Sequence, residues 1–429
     1  MKDTPVVQGS SRSALTMATT GFFAGFAAVA VFGPLVPKFA ALMHLSPAAA
    51  GLLAAIASLS GSILRIPFGA WADRGAKRPF MGLLILALIG MAGLIALLRA
   101  DYPDHLQGTY LLLLLLGILV GSGIATFSVG IAQVSYWFSQ SRQGGSLGTY
   151  AGLGNLGSGI FSLLLPLAVA HLGMIGAYEL WFLFLLIVTL LCGVFMKNAP
   201  SIQLESQGYT VSLEALKPYG QDKLPQGTAS HALAEAARVA PTWALVILYF
   251  TSFGGFIALT GWLPSFWHGA YHTTLVTGGG LTLLFSAATS LVRVPGGLMA
   301  DRFSIRYALN GNVTVMALGV LAVVFSSQMS MAIAGVLIMA VGMGLQNAVI
   351  FKLVPHYVPK AVGGAAGWVG GLGAFGGFVL PLIMGAVVGA WHSYHAALAV
   401  FWALAVINWI VIGWLKHGAI LETPGSHAA

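Results

Sequence analysis

The sequence predicts an all-α polytopic membrane protein of twelve transmembrane helices in two pseudo-symmetric six-helix halves. Three observations predict it. Of 429 residues, 58 % are hydrophobic and only 7 % charged, with a mean hydropathy of +0.89, whereas a soluble chain carries about 25 % charged residues. The apolar residues come close to what twelve spans of about 20 residues need. The two halves of the chain also repeat each other. Together these exclude a soluble enzyme, a disordered regulator and a disulfide scaffold. The excess of 19 Lys+Arg over 11 Asp+Glu then reads as membrane topology, not nucleic-acid binding.

Apolar runs separated by polar or Pro/Gly breaks place the helices at 14–43, 47–72, 80–99, 108–138, 144–171, 174–196, 242–268, 275–299, 306–327, 330–357, 361–389 and 393–416. The segment before the first run has no cleavage site, so that helix is expected to be retained. The long polar stretch 197–241 divides the helices six and six. This gives an N-terminal half 1–196, a linker 197–241 and a C-terminal half 242–429, with a short surface helix expected at SHALAEAARVA. Cys192 is the single cysteine and lies in an apolar run, which leaves no disulfide and no thiolate metal cage.

Charge fixes the orientation. With both termini inside, the inner segments hold fourteen basic residues and the outer segments hold only Lys38 and Arg99. That is a strong positive-inside bias, so both termini and the linker are expected to be cytoplasmic. Three basic residues remain within helices: Arg65, Arg293 and Lys352.

The repeat is specific. SGSILRIPFGAWADR in the second helix parallels TSLVRVPGGLMADR in the eighth at an offset of 228, pairing Arg65 with Arg293, Gly69 with Gly297, Asp73 with Asp301 and Arg74 with Arg302. In the fifth helix Gly144, Gly148, Gly152, Gly154 and Gly157 match Gly363, Gly367, Gly371, Gly373 and Gly376 of the eleventh at an offset of 219. Paired six-helix halves are the ground plan of alternating-access carriers, whose site lies between the halves near the midplane.

Arg65 stands eight residues before Asp73, about 12 Å along a helix, and Arg293 has the same relation to Asp301. An arginine at the bilayer centre costs at least ~2.5–3.5 kcal/mol. None of the eleven acids lies mid-helix, and even Glu179 sits at the outer start of the sixth helix. The bland reading is that each arginine snorkels toward the interface. The functional reading is that a substrate anion is the counter-ion. Guanidinium forks suit a small anion with several equivalent oxygens, and carboxylate and phosphate stay open at this point.

The glycine stripes allow close helix packing, and in a carrier they also allow sliding and bending. Asn155 adds an amide near the midplane. Gly152, Gly154 and Gly157 spell G-x-G-x-x-G, as do Gly371, Gly373 and Gly376, yet a dinucleotide fingerprint needs a preceding strand that these sequences lack. GAWADRGAKRP and its weaker echo GLMADRFSIR place an acid and a basic cluster in a short loop. This resembles the loop signature of the major facilitator superfamily. The resemblance implies that Asp73 and Asp301, with Arg74 and Arg302, latch the inward-closed state.

GSILRIPFG, FSVGIAQVSYWF, GTYAGLGNLGSG, LYFTSFGGFIALTGWLPSF, VIFKLVPHYVPK and GAFGGFVLP together resemble the nitrate/nitrite porter family within that superfamily, through both halves. The resemblance implies that Arg65 and Arg293 bind the anion, with Asn155, Tyr249, Phe253 and Phe127 lining the site. The fourth helix is poorer in Gly and Asn than the family pattern, which weakens the assignment of Phe127, and Ala374 opposite Asn155 makes the site asymmetric. Lys352 reads as an interface residue.

The expected protein is a monomeric inner-membrane carrier of nitrate and/or nitrite, without metal, organic cofactor or nucleic-acid partner. The family contains both nitrate/nitrite exchangers and proton-coupled symporters. No Asp, Glu or His titrates mid-helix here, and two unpaired guanidinium groups should resist closure without an anion, which favours exchange. Proton symport, a carrier of another small anion and a non-transporting anion sensor are the alternatives.

Overall fold

The computed structural model describes residues 6–222, 224, 229–302, 305–358 and 362–418. Among these, eleven helical segments are long and apolar enough to cross a membrane. One of them, Arg142–Phe195, is 54 residues long, which as a single rod would exceed 80 Å at about 1.5 Å per residue. It reverses at Gly173, whose φ of 73° and ψ of 176° break the helical backbone. Phe161 packs 4.5 Å from Trp181 and 5.4 Å from Phe184, although twenty residues of straight helix would span about 30 Å. The segment is therefore a hairpin of two crossings, called here the fifth and sixth helices.

The others, in order, are Ser11–Met43, Pro47–Ala72, Lys77–Asp101 and Leu106–Trp137 in the first half, and Ala240–Tyr271, Leu275–Arg302, Ile305–Val324, Met329–Tyr357, Val362–Trp391 and Tyr394–Leu415 in the second. The repeat is written into the backbone. The first and seventh helices end on left-handed His44 and His272, with φ of 50° and 53°. The fifth breaks at Gly173 where the eleventh ends on left-handed His392. A left-handed residue after a helix satisfies carbonyls of the last turn, and these positions are 228 and 219 residues apart, the offsets of the sequence repeat.

Several crossings are interrupted near mid-depth. The second helix breaks between Ile63 and Arg65, because Pro67 has no N–H to offer the Ile63 carbonyl. The first and fourth tighten into 3₁₀ turns at Ala27–Ala30 and Ser122–Ala125. The seventh widens into a π turn at Phe250–Gly254, a distortion that recurs at functional sites.

The second helix packs on the eleventh and the fifth on the eighth, so each half contributes one partner to both seams. At the end far from the linker these seams meet backbone to backbone. A Cβ at Gly51 would lie 2.5 Å from the Pro381 carbonyl oxygen, and one at Gly279 would overlap that of Ser162. The two contacts are the same contact repeated, since Gly279 is the counterpart of Gly51 and Pro381 that of Ser162. Gly33 against the Gly261 carbonyl, at 2.6 Å for such a Cβ, closes the first against the seventh helix. At the linker end the halves stand apart, and Cβ atoms at Gly144, Gly148 and Gly363 would meet nothing within 4 Å.

The stripes therefore do two jobs, divided by depth. Gly154 accepts the Phe22 ring and Gly157 the Phe23 carbonyl, while Gly373 accepts Tyr249 and Gly376 the Phe250 carbonyl. Gly371 meets Ile66 beside Arg65. Gly152 is looser, because its Cβ would stand 4.0 Å from the Ser290 carbonyl, so close packing does not require glycine there. Glycine at 69 leaves room for Ser128 of the fourth helix, 3.2 Å from its would-be Cβ. Gly297, Asp301 and Arg302 end the eighth helix, and their side chains lie outside the described residues.

The polar stretch contains helices Pro200–Ser206, Leu213–Leu216 and Ala229–Ala237. The last falls on the expected surface helix, with Ser230, His231 and Ala234 exposed. It docks on the eleventh helix at the open end.

Candidate functional site

Two arginines and one phenyl ring organise the centre. Arg65 opens the inner segment of the second helix just after its break and is 1 % exposed. Its Cζ lies 5.1 Å from the Phe253 ring centroid, and the Cζ of Arg293 lies 4.9 Å from that same centroid. The two charges are thus within roughly 10 Å of each other, and each gains a cation–π contact of about 0.5–2 kcal/mol. Arg65 also lies 4.7 Å from the Phe127 centroid, so Phe127 stands beside Arg65 despite the unusual fourth helix.

Each guanidinium leaves one edge without a partner. Arg65 Nη1 donates to the Gly370 carbonyl of the eleventh helix at 3.2 Å. Arg293 faces the Tyr249 side chain. On both residues Nε and Nη2 are buried with no partner. Nε–H and Nη2–H form one edge of the guanidinium, so each arginine offers a parallel pair of donors. No carboxylate answers them among the described ion pairs. Glu179, the acid closest to mid-chain apolar sequence, pairs with Arg99 at 2.6 Å on a half-exposed rim.

The walls are aromatic. Tyr249 stacks on Phe253 at 4.9 Å and meets Phe351 edge-on at 5.0 Å, and Phe127 stacks on Phe253 at 5.8 Å. Apolar walls of this kind lower the local dielectric and strengthen the charge interactions between them. Sequence reasoning missed Phe22, Phe26 and Tyr150. Phe22 packs 5.2 Å from Phe127, and Phe26 stacks on Phe253 at 6.3 Å. An offset of 227 sets Phe22 opposite Tyr249 and Phe26 opposite Phe253, so the repeat itself held that signal. Tyr150 stacks on Phe127 and donates to the carbonyls of Thr126 and Phe127 at 3.0 and 2.9 Å. Gly130 is the notch that admits its hydroxyl.

Asn155 is fully buried, and neither end of its amide has a partner. Gly152 and Gly159, three residues before and four after it, meet Ser290 and Ser286. This places Asn155 on the helix face turned to the eighth helix, which carries Arg293. Lys352 is exposed on the tenth helix.

A cavity of about 520 Å³ runs from Arg65 and Phe127 past Gly69 and Gly371 to Asp73 and Tyr136 at the open end. At about 30 Å³ per water it can hold well over ten waters. Asp73 forms no ion pair among the described residues and instead accepts a hydrogen bond from the Tyr136 hydroxyl at 2.9 Å. Burial pushes its carboxyl above the usual range, and the Tyr136 bond only partly opposes that. Burial thus works against the charged carboxylate in this open form. Asp73→Asn keeps the Tyr136 contact without the charge. It is expected to hold the protein in this form and slow turnover several-fold with anion binding retained, read from paired flux and binding titrations.

A chain whose two six-helix halves enclose a charged cavity, closed at one end and open at the other, is built as a secondary transporter. The family model described as "Major Facilitator Superfamily" matches residues 18–345 and 270–427. The "Probable nitrate transporter NarT" of Staphylococcus epidermidis is 30 % identical over 93 % of this chain and 95 % of its own length. The "Probable nitrate/nitrite antiporter NarK1" of Thermus thermophilus is 30 % identical over 96 % and 93 %. The "Nitrite extrusion protein" of Bacillus subtilis is 27 % identical over 95 % of both. Among solved structures, the xylose transporter XylE from E. coli in a partially occluded inward open conformation superposes with a TM-score of 0.70 at 13 % identity, covering 96 % of this chain and all of that one. The chain belongs to the major facilitator superfamily, and within it to the nitrate/nitrite porters.

Proposed function

We propose that this protein carries nitrate and nitrite across the membrane by alternating access, exchanging one anion for the other. The observation that supports it most is the pair of buried guanidinium groups on one phenyl ring, each with its Nε/Nη2 edge unpaired. A planar oxyanion between those edges accepts up to four charge-assisted hydrogen bonds, and the names of the relatives point to the same anions. Tyr249, Phe253, Phe127 and Asn155 complete the binding site. The glycines at 69, 152, 154, 157, 297, 371, 373 and 376, with the Asp73–Arg74 and Asp301–Arg302 pairs, serve the conformational change.

The halves 1–196 and 242–429 rock about the site, and the linker 197–241 faces the cytoplasm of a cell whose inner membrane holds the protein. On that orientation the present form is inward-open. Both arginines and the whole cavity belong to one chain, so a monomer suffices. With no bound anion the facing cations oppose closure, and a bound anion offsets that repulsion.

The test is nitrate uptake into liposomes loaded with nitrite, with nitrate, or with neither, with and without an inward-acid pH gradient. Exchange requires an internal anion and responds little to pH. Concentrative uptake into empty vesicles driven by the gradient alone would overturn exchange, and no uptake under any condition would overturn transport. In the same assay Tyr249→Phe removes one hydroxyl and leaves both guanidinium edges in place, so it is expected to weaken nitrate binding roughly two- to twelvefold, less than the loss of either arginine.

A further inference from the structure

Helix Ala229–Ala237 of the linker stands in the opening between the halves, and its seat is built. Trp368 of the eleventh helix donates its indole N–H to the Leu233 carbonyl at 2.9 Å. Trp243 donates to the Ala237 carbonyl and Thr242 to that of Ala236, both at 2.8 Å. The last carbonyls of a helix have no partners within it, and here Thr242 and Trp243 reach two of them. Beneath it Gly364 is bare where any side chain would strike the Ala232 carbonyl, and a Cβ at Gly367 would stand 3.3 Å from Leu233. The helix is thus fixed to the C-terminal half.

On its other side it faces the N-terminal half. Ala232 and Leu233 share the cavity wall with Gly69 and Asp73 of the second helix. At the far end the same two membrane helices close to backbone contact, through Gly51 against Pro381. A helix about 10–12 Å across cannot remain between Asp73 and Gly367 while their ends approach that closely. The start of the linker is held by the other half. Gln203 bonds both the N–H and carbonyl of Gln8, and Gln207 both those of Val6, while Asn198 accepts from the Lys77 N–H. The linker therefore has one footing on each half.

We propose that the Ala229–Ala237 helix is a removable wedge. Docked on Gly364 and Gly367 it forms part of the anion's path and props this end open. It leaves its seat each time the protein turns to face the other side. The strength of the seat then sets the balance between the two forms. The assignment of this helix to an anion path rests on the transport reading above.

The test tethers the wedge. With Cys192→Ala as background, Leu233→Cys and Gly367→Cys are joined by a short, reducible bifunctional thiol reagent in proteoliposomes, and bridging is verified by mass spectrometry. Before bridging, nitrite-driven nitrate uptake reports whether the protein transports at all, which tests the transport reading alone. Bridging is expected to cut that uptake at least tenfold, with nitrate binding kept and uptake restored by reduction. Unchanged uptake in bridged protein would overturn the wedge. Trp368→Phe supplies a second measurement independent of transport, since it removes the N–H donor to Leu233 and shrinks the ring packed on Trp243. Spin labels at Asp104→Cys and Ser327→Cys, exposed at the far end of the two halves, are expected to show the widely separated population rising three- to tenfold. An unchanged distance distribution would also overturn the wedge.

Discussion

Arg65→Lys and Arg293→Lys should each lower nitrate uptake by a hundredfold or more while the protein inserts and purifies normally. Charge is kept, so a site that needed only positive potential would tolerate both. Lysine lacks the Nε/Nη2 edge that each guanidinium leaves unpaired, and its point charge cannot replace two parallel donors. Losing two charge-assisted bonds of about 1.5–3 kcal/mol each gives about 10²- to 10⁴-fold. Arg65→Lys also surrenders the bond to the Gly370 carbonyl, and Arg293→Lys the contact with Tyr249. Anion binding and initial uptake rates decide the matter. Near-native rates in either variant would sink the assignment of the arginines.

The sequence and the structure part company in an instructive way here. The paired arginines were legible because the repeat copies them and because every acid could be placed elsewhere. That both charges would share the Phe253 ring was not legible, since it depends on how the π turn of the seventh helix rotates that ring between two other helices. The full aromatic cluster was half visible. Tyr249 and Phe253 came from a motif, but their counterparts Phe22 and Phe26 needed the repeat applied to the first helix. The linker helix was foreseen as an element, but its docking on the eleventh helix was not. An alanine-rich segment such as SHALAEAA shows no broad apolar face, and its seat is made of glycines and two tryptophans more than a hundred residues away or across a turn. The open state left no trace in the sequence, because both states of a rocking pair must be encoded at once.

The other large effect is expected at the far end. Gly279→Val places methyl groups where the Ser162 carbonyl now sits, and backbone cannot step aside as a side chain can. Overpacking of this kind typically costs 1–3 kcal/mol or more. That penalty falls only on forms in which this end is shut, so it displaces the balance toward the opposite form by about five- to 150-fold. Gly51→Val, its symmetry counterpart against Pro381, should act alike. Exchange should fall steeply in both, and distances between labels at Asp104→Cys and Ser327→Cys should lengthen. If either valine variant keeps the wild-type distance distribution, the far end is not sealed by these contacts.

The absence of side chains from that seal has a consequence for adaptation. A closure made of carbonyl oxygens against bare α-carbons offers selection almost nothing to adjust, because every substitution at Gly51 or Gly279 is large and of one sign. Graded variation has to come from elsewhere, and the linker end supplies it. There the contacts run through Asp73, Tyr136, Trp368 and Leu233, each of which can be exchanged for a near neighbour at small cost. Related carriers that work at different speeds or in different directions should therefore differ at the linker end and agree, glycine for glycine, at the other.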